Sequence, residues 1–198
     1  MAKRKEAIQV PMGETTVLLH TCCAPCSSAI IEAMMRDGIT PVIYYCNPNI
    51  YPHEEYEIRK TECTRYAQSL GLEIVDADYD HENWLEAVRG MEAEPERGGR
   101  CLKCFKLRLL RTAEYAARRG IKVITTTLAS SRWKSLDQIN EAGTWACGQV
   151  AEGPLWWDQN WRKGGLQERR LQIIKEYEFY NQLYCGCEFS MRKSDKGL

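Results

Sequence analysis

The segment HTCCAPCSS, from His20 to Ser28, places Cys22, Cys23 and Cys26 directly after the apolar run TVLL. Two further groups follow, CLKC with Cys101 and Cys104, and CGC with Cys185 and Cys187. Seven thiols in three short clusters, widely separated along the chain, point to metal or redox chemistry. Cys46, Cys63 and Cys147 stand alone and read as small apolar residues. One structural zinc takes four ligands, and so does one 4Fe–4S cluster; either leaves three thiols over. Those three are ligands of a second metal with an open position, or redox thiols. The adjacent pair Cys22–Cys23 bears on the choice, because neighbouring side chains of an extended segment diverge and can serve two centres. Seven thiols fit one metal badly and two centres well. A thioredoxin-like reading of CAPC supplies a CxxC after a strand but needs neither CLKC nor CGC.

The elements that must position these thiols alternate between two periodicities. Strands are expected at Thr16–His20, Thr40–Cys46, Leu72–Asp78 and Ile121–Thr127, where β-branched and aromatic residues concentrate. Helices are expected over Ser27–Arg36, His53–Gly71, His81–Gly90, Cys101–Gly120 and Ser135–Cys147, with Ser135 as an N-cap and glycines as stops. This alternation predicts an α/β fold, a Rossmann-like (HUP-like) parallel sheet flanked by helices, with a helical, cysteine-containing C-terminal segment. Sites of such sheets lie beyond the carboxyl ends of the strands, where HTCCAPC, CNPN, DADYD and TTTLASS all fall. At CLKC, the helix N-terminus and Arg100 are expected to favour thiolates.

The chain has 198 residues, enough for one domain burying roughly 70% of its unfolded surface without staples. Residues 1–198 are read as a single metal-binding domain with 1–14 as a flexible tail. MAKRKEAIQV has no following apolar segment, and no stretch approaches a membrane span, so the expected location is the cytoplasm, where thiols stay reduced. The balance of 27 basic and 27 acidic residues argues against a nonspecific nucleic-acid coat but not against a local basic rim. Its candidates are Arg108, Arg111, Arg118 and Arg119, and later Arg162, Lys163, Arg169 and Arg170; each alone reads as part of a solvated helix face.

HTCCAPCS, YYCNPNIYPHEEYEIRK, DADYDHENW, GGRCLKCFKLRL, ITTTLASS and LYCGCEFS, in this order, resemble the epoxyqueuosine reductase QueH family over Leu18 to Ser190. The resemblance implies a cobalamin-independent, two-electron deoxygenation of epoxyqueuosine in the tRNA anticodon to queuosine. It also implies a 4Fe–4S cluster beside a separately coordinated iron, in agreement with the sulfur count. The implied ligands are Cys22, Cys23, Cys101, Cys104, Cys185 and Cys187, with Cys26 at a position a carboxylate can also fill. Asp80 is the alternative oxygen ligand. Which four cysteines hold the cluster stays open.

Such a reaction needs two protons and an external electron donor. His20, His53 and His81 are the only histidines, and His53, beside the NPN loop, has the strongest claim as proton donor. Bases of an anticodon loop stack on aromatic or Arg surfaces. Trp156, Trp157 and Trp161 with Arg162 and Lys163 form such a platform or plug the core; Tyr51, Tyr56 and Arg59 are alternatives. Thr125 to Thr127 contact the modified base or simply end a strand. An ATP-dependent thiolating enzyme would need a glycine-rich phosphate loop after the first strand, where HTCCAPCS has no glycine. A non-enzymatic zinc-binding, RNA-interacting module remains the alternative.

Overall fold

The computed structural model describes residues 7–191. Five parallel strands form one sheet: β1 (Thr16–Thr21), β2 (Thr40–Tyr45), β3 (Ile74–Asp76), β4 (Val123–Thr126) and β5 (Leu155–Trp156). Their order is β3-β2-β1-β4-β5. Six helices flank it: α1 (Ala24–Arg36), α2 (His53–Ser69), α3 (His81–Ala87), α4 (Gly99–Arg119), α5 (Leu136–Gly148) and α6 (Leu166–Glu176). The expected α/β architecture is the observed one.

β1 and β2 are buried at every position after the first, so they read as continuous apolar runs rather than alternating ones. Val17, Leu18, Leu19, Ile43 and Tyr45 are closed from water between the helices. α1 adds Ile30, Ile31 and Met34, and α4 adds Leu109, Ala113 and Ala116. α1 packs against α2 and α6, and α4 against α3 and α5.

β1 lies between β2 and β4, with register partners His20–Tyr44 and His20–Thr126. The chain leaves β1 toward β2 and returns beyond it to β4, so the strand order reverses at β1/β4. Parallel sheets open a crevice at such a switch point. The cysteine turn after β1 and the 3-10 turn Thr127–Ser130 after β4 sit there.

Several boundaries differ from expectation for local reasons. α1 starts at Ala24 because Pro25 is pre-set for a first helical turn, so the cysteine segment is itself the start of the helix. α4 begins at Gly99, two residues before CLKC. β5 has no local sequence signal: two residues carry no periodicity, and the strand exists through the Leu155 N–H to Lys122 carbonyl and Trp157 N–H to Ile124 carbonyl bonds. The tail expected over 1–14 lies in part outside the described residues; within them, the Ile8 N–H bonds Asp37 Oδ2 at 2.9 Å.

Candidate metal centre and cavity

The β1–α1 junction gathers the first three thiols. Cys23 is the N-cap of α1, in extended conformation, and Cys26 lies in the first turn. Cys22, Cys23 and Cys26 place their sulfurs within 4.8 Å of one another, and Cys22 and Cys23 stand 3.8 Å apart. The expected divergence of Cys22 and Cys23 is therefore corrected: the turn into α1 swings both sulfurs to the same side. Thr127 Oγ1 donates to Cys22 Sγ at 3.4 Å and accepts from its N–H at 3.2 Å. Gln182 Nε2 donates to Cys23 Sγ at 3.1 Å. Hydrogen bonds from Cys23 and Cys26, then from Thr127, hold the Cys22 thiol well below its ordinary range. Cys26, bonded to that sulfur, is pushed up to about 12. Of the three sulfurs near this helix N-terminus, Cys22 is thus the one most readily ionised.

The second set joins α4 to the C-terminal segment. Cys101 and Cys104 occupy the first turns of α4, and Cys104 packs with Cys187, Trp84 and Val88. Cys101 and Cys187 each feel the charge of Cys104 and Cys185. Gly186 makes the turn between the last two thiols at φ +118°, and its carbonyl accepts from the Tyr51 N–H at 2.8 Å. Arg59, paired with Glu55 at 2.7 Å, donates to the carbonyls of Tyr184 and Cys185 at 3.3 Å each. The expected help of Arg100 at CLKC is corrected. Its guanidinium is spent on the carbonyls of Met91, Glu92 and Glu94, and burial pushes the Cys101 thiol up. Burial likewise pushes Cys187 up to about 12.

Both sets open onto one cavity of about 720 Å³, through Cys22 and Cys26 on one hand and Cys101 and Cys185 on the other. Its charged lining is Arg59, Arg97, Arg108, Arg132, Lys134 and Arg170 against a single acid, Glu96. Two of these cations are sequence signals that spacing does not reveal. Lys134 Nζ donates to Cys185 Sγ at 2.9 Å. Burial opposes its charge, yet the Cys185 sulfur holds the ammonium above its usual range. Arg108, expected on a solvated face, is 2% exposed. It donates to Asn47 Oδ1 at 2.5 Å and the Cys46 carbonyl at 3.1 Å, and reaches Cys104 Sγ at 4.0 Å. Among the described residues no carboxylate pairs with Arg108 or Lys134.

The other anticipated residues fall elsewhere. His53 is exposed beside Glu57 and lies tilted against the Tyr79 ring, outside the cavity lining. Asp80 pairs with Arg111 and Asn83 at the start of α3 and is not among the lining residues. His20 is fully buried between Thr126 Oγ1 and the Cys46 carbonyl, and burial lowers it to about 3. His81 bridges the Pro48 carbonyl and Glu188. Tyr56 is closed from water and bonds Asp76; Tyr51 is exposed and stacks on His81. The tryptophans take the core alternative rather than the platform: Trp157 and Trp161 are core residues in an edge-to-face pair, and half-buried Trp156 packs against Gly143. Cys46 and Cys63 are buried, as isolated apolar cysteines should be. Thr125 and Thr126 point inward to Trp157 and His20, whereas Thr127 serves Cys22.

Fold and site together define a Rossmann-like α/β protein with a cysteine-lined, cation-rich cavity at the carboxyl edge of its sheet. A profile of the family described as Epoxyqueuosine reductase QueH matches residues 17–193. Curated proteins named Epoxyqueuosine reductase QueH are similar over almost the whole chain. The one from Haemophilus influenzae is 47% identical over 192 residues, 97% of this chain and 78% of the relative. That of Acinetobacter baylyi is 44% identical over 196 residues, 99% and 89% respectively. That of Thermotoga maritima is 35% identical over 179 residues, 89% and 90%. The chain belongs to the epoxyqueuosine reductase QueH family, a family of oxidoreductases. No helix of the described residues is long and apolar enough to cross a membrane.

Proposed function

We propose that this chain is a cobalamin-independent reductase that converts epoxyqueuosine in a tRNA anticodon loop to queuosine, using a 4Fe–4S cluster and an adjacent mononuclear iron. The observation that carries the reading is one cavity reached by two sulfur sets, three thiols at the start of α1 and four between α4 and the CGC turn. The donor chemistry suits both groups. Cys101, Cys104, Cys185 and Cys187 would supply the four thiolates that a cluster requires. Cys22, Cys23 and Cys26 would hold a single iron and leave it short of a full ligand set. Arg108, buried, and Lys134, half-buried, have no carboxylate partner among the described residues and would supply the positive charge that anionic metal–thiolate groups need.

When bound, these groups would supply Lewis acidity toward the epoxide oxygen and electrons delivered one at a time. The chain's own residues do the rest. Lys134 holds a proton at Nζ inside the cavity, beside Cys185. Thr127 fixes the orientation of Cys22 through both its hydroxyl bonds. Arg59, Arg97, Arg132 and Arg170 line the approach with charge opposite to an RNA backbone. Releasing the oxygen as water consumes two electrons and two protons, so an external donor must renew the electrons.

The test is direct. Protein reconstituted with iron and sulfide without oxygen is given epoxyqueuosine-containing tRNA and dithionite, and the RNA is digested to nucleosides. Queuosine appearing as epoxyqueuosine disappears is the expected result. Loaded protein that leaves epoxyqueuosine untouched contradicts the reading.

A further inference from the structure

Between the 3-10 turn after β4 and the start of α5, residues 131–134 form a short turn at the open edge of the cavity. Trp133 lies in it, 73% exposed, the most open large hydrophobic side chain among the described residues. An indole left in water forgoes the burial that fixes Trp84 and Trp161, so local packing does not account for it. The turn itself is firmly held. Arg97 donates from Nε to the Trp133 carbonyl and from a terminal nitrogen to the Arg132 carbonyl, both at 2.9 Å. Gln138 Nε2 braces the Arg97 carbonyl at 2.9 Å, and Ser131 Oγ accepts from the Trp133 N–H at 3.3 Å.

Arg97 sits at φ +67°, a left-handed conformation that strains a residue with a Cβ. Its backbone N–H goes to Cys101 Sγ at 3.3 Å. One strained residue thus ties a cavity thiol to the turn that carries the exposed ring. A rigid backbone presenting an exposed aromatic side chain beside a reactive cavity is a ligand-facing arrangement.

We propose that Trp133 is a stacking platform for a nucleobase of the single-stranded loop that brings the substrate to the cavity, with Arg132 contacting phosphate beside it. The proposal rests on the RNA reading above and names the residue that reads the strand. Two observations select the occupant. The cavity lining carries six cations and one acid on a chain of zero formal net charge. Its exposed large apolar side chains are Trp133 and Leu183, too few for the contiguous patch of a protein interface but suited to the flat face of a base.

The experiment measures binding of a fluorescently labelled anticodon stem-loop RNA by anisotropy, using iron-loaded protein. Trp133→Ala, Trp133→Tyr and Arg132→Gln are compared with the wild type. Stacking of one base predicts that Trp133→Ala weakens binding roughly 5- to 150-fold, with circular dichroism and iron content unchanged. Trp133→Tyr should restore binding to within about threefold, since every aromatic ring offers a π-face. Arg132→Gln should lower the salt slope of log Kd by about one. If wild type binds the RNA and Trp133→Ala binds it equally well, the platform is wrong while the reductase reading stands. Tyrosine failing as badly as alanine would also overturn it. Unchanged RNA binding with slower reduction by a protein electron donor, but not by dithionite, would assign the ring to an electron-donor interface and refute the proposal. Wild-type protein with no affinity for the RNA would sink both readings.

Discussion

Arg108 carries a full charge in the interior, held by neutral oxygens at Asn47 and Cys46 and near three candidate metal-ligating thiols: Cys22, Cys104 and Cys185. A buried charge without a counter-charge costs several kcal/mol, so the anion must come from those sulfurs or what they hold. This predicts that Arg108→Met folds in its metal-free form, where the thiols can stay protonated, but binds iron weakly. A chelator challenge followed by iron assay checks it: the variant should lose iron faster than wild type, and Arg108→Lys should recover part of the difference. Equal retention in all three proteins would contradict the assignment. Sequence spacing showed which cysteines cluster but not which cations face them. Lys134 lies in a non-periodic turn, and its partner Cys185 is 51 residues away, so no local pattern could mark it. His53 and Asp80 were singled out by position near the sheet edge; position along a loop does not fix where a side chain points, and both engage surface partners instead.

At the level of elements, two glycines separate stability from metal binding. A Cβ on Gly143, inside α5, would lie 2.2 Å from the Trp156 ring. Overpacking of this kind costs about 1–3 kcal/mol, which exceeds the helix-propensity gain of alanine. With about 1 kcal/mol of that offset by propensity, Gly143→Ala should lower Tm by up to roughly 8 °C while iron binding survives in the folded protein. Gly186 instead combines φ +118° with a Cβ position 3.0 Å from Ile50 and 3.1 Å from Arg59. Gly186→Ala should displace the CGC turn and lose iron and sulfide together. Parallel thermal melts and metal assays decide it; the reverse pattern would show that the CGC turn does not hold the cluster. The four longer strands and their intervening helices were readable because their apolar runs and glycine stops are local signals. β5 and the burial of Trp157 and Trp161 were not, since a two-residue strand exists only through its neighbour β4.

Across the whole molecule, a neutral chain concentrates cations where its sheet order reverses, and three distant cysteine clusters meet there. Sequence carried the sheet edge as a destination, but only the packing of α4 and the C-terminal segment brings CLKC to CGC. The proposed function requires these seven thiols to serve two different iron groups. Its most direct measurement is iron, sulfide and zinc content, with a visible spectrum, on anaerobically prepared wild type and a Cys22→Ala/Cys26→Ala variant. Wild type should be brown, with iron to sulfide near about five to four. The variant should lose about one iron per chain and keep its sulfide and colour. A colourless wild-type protein holding one zinc and no iron, even after reconstitution, would contradict the account.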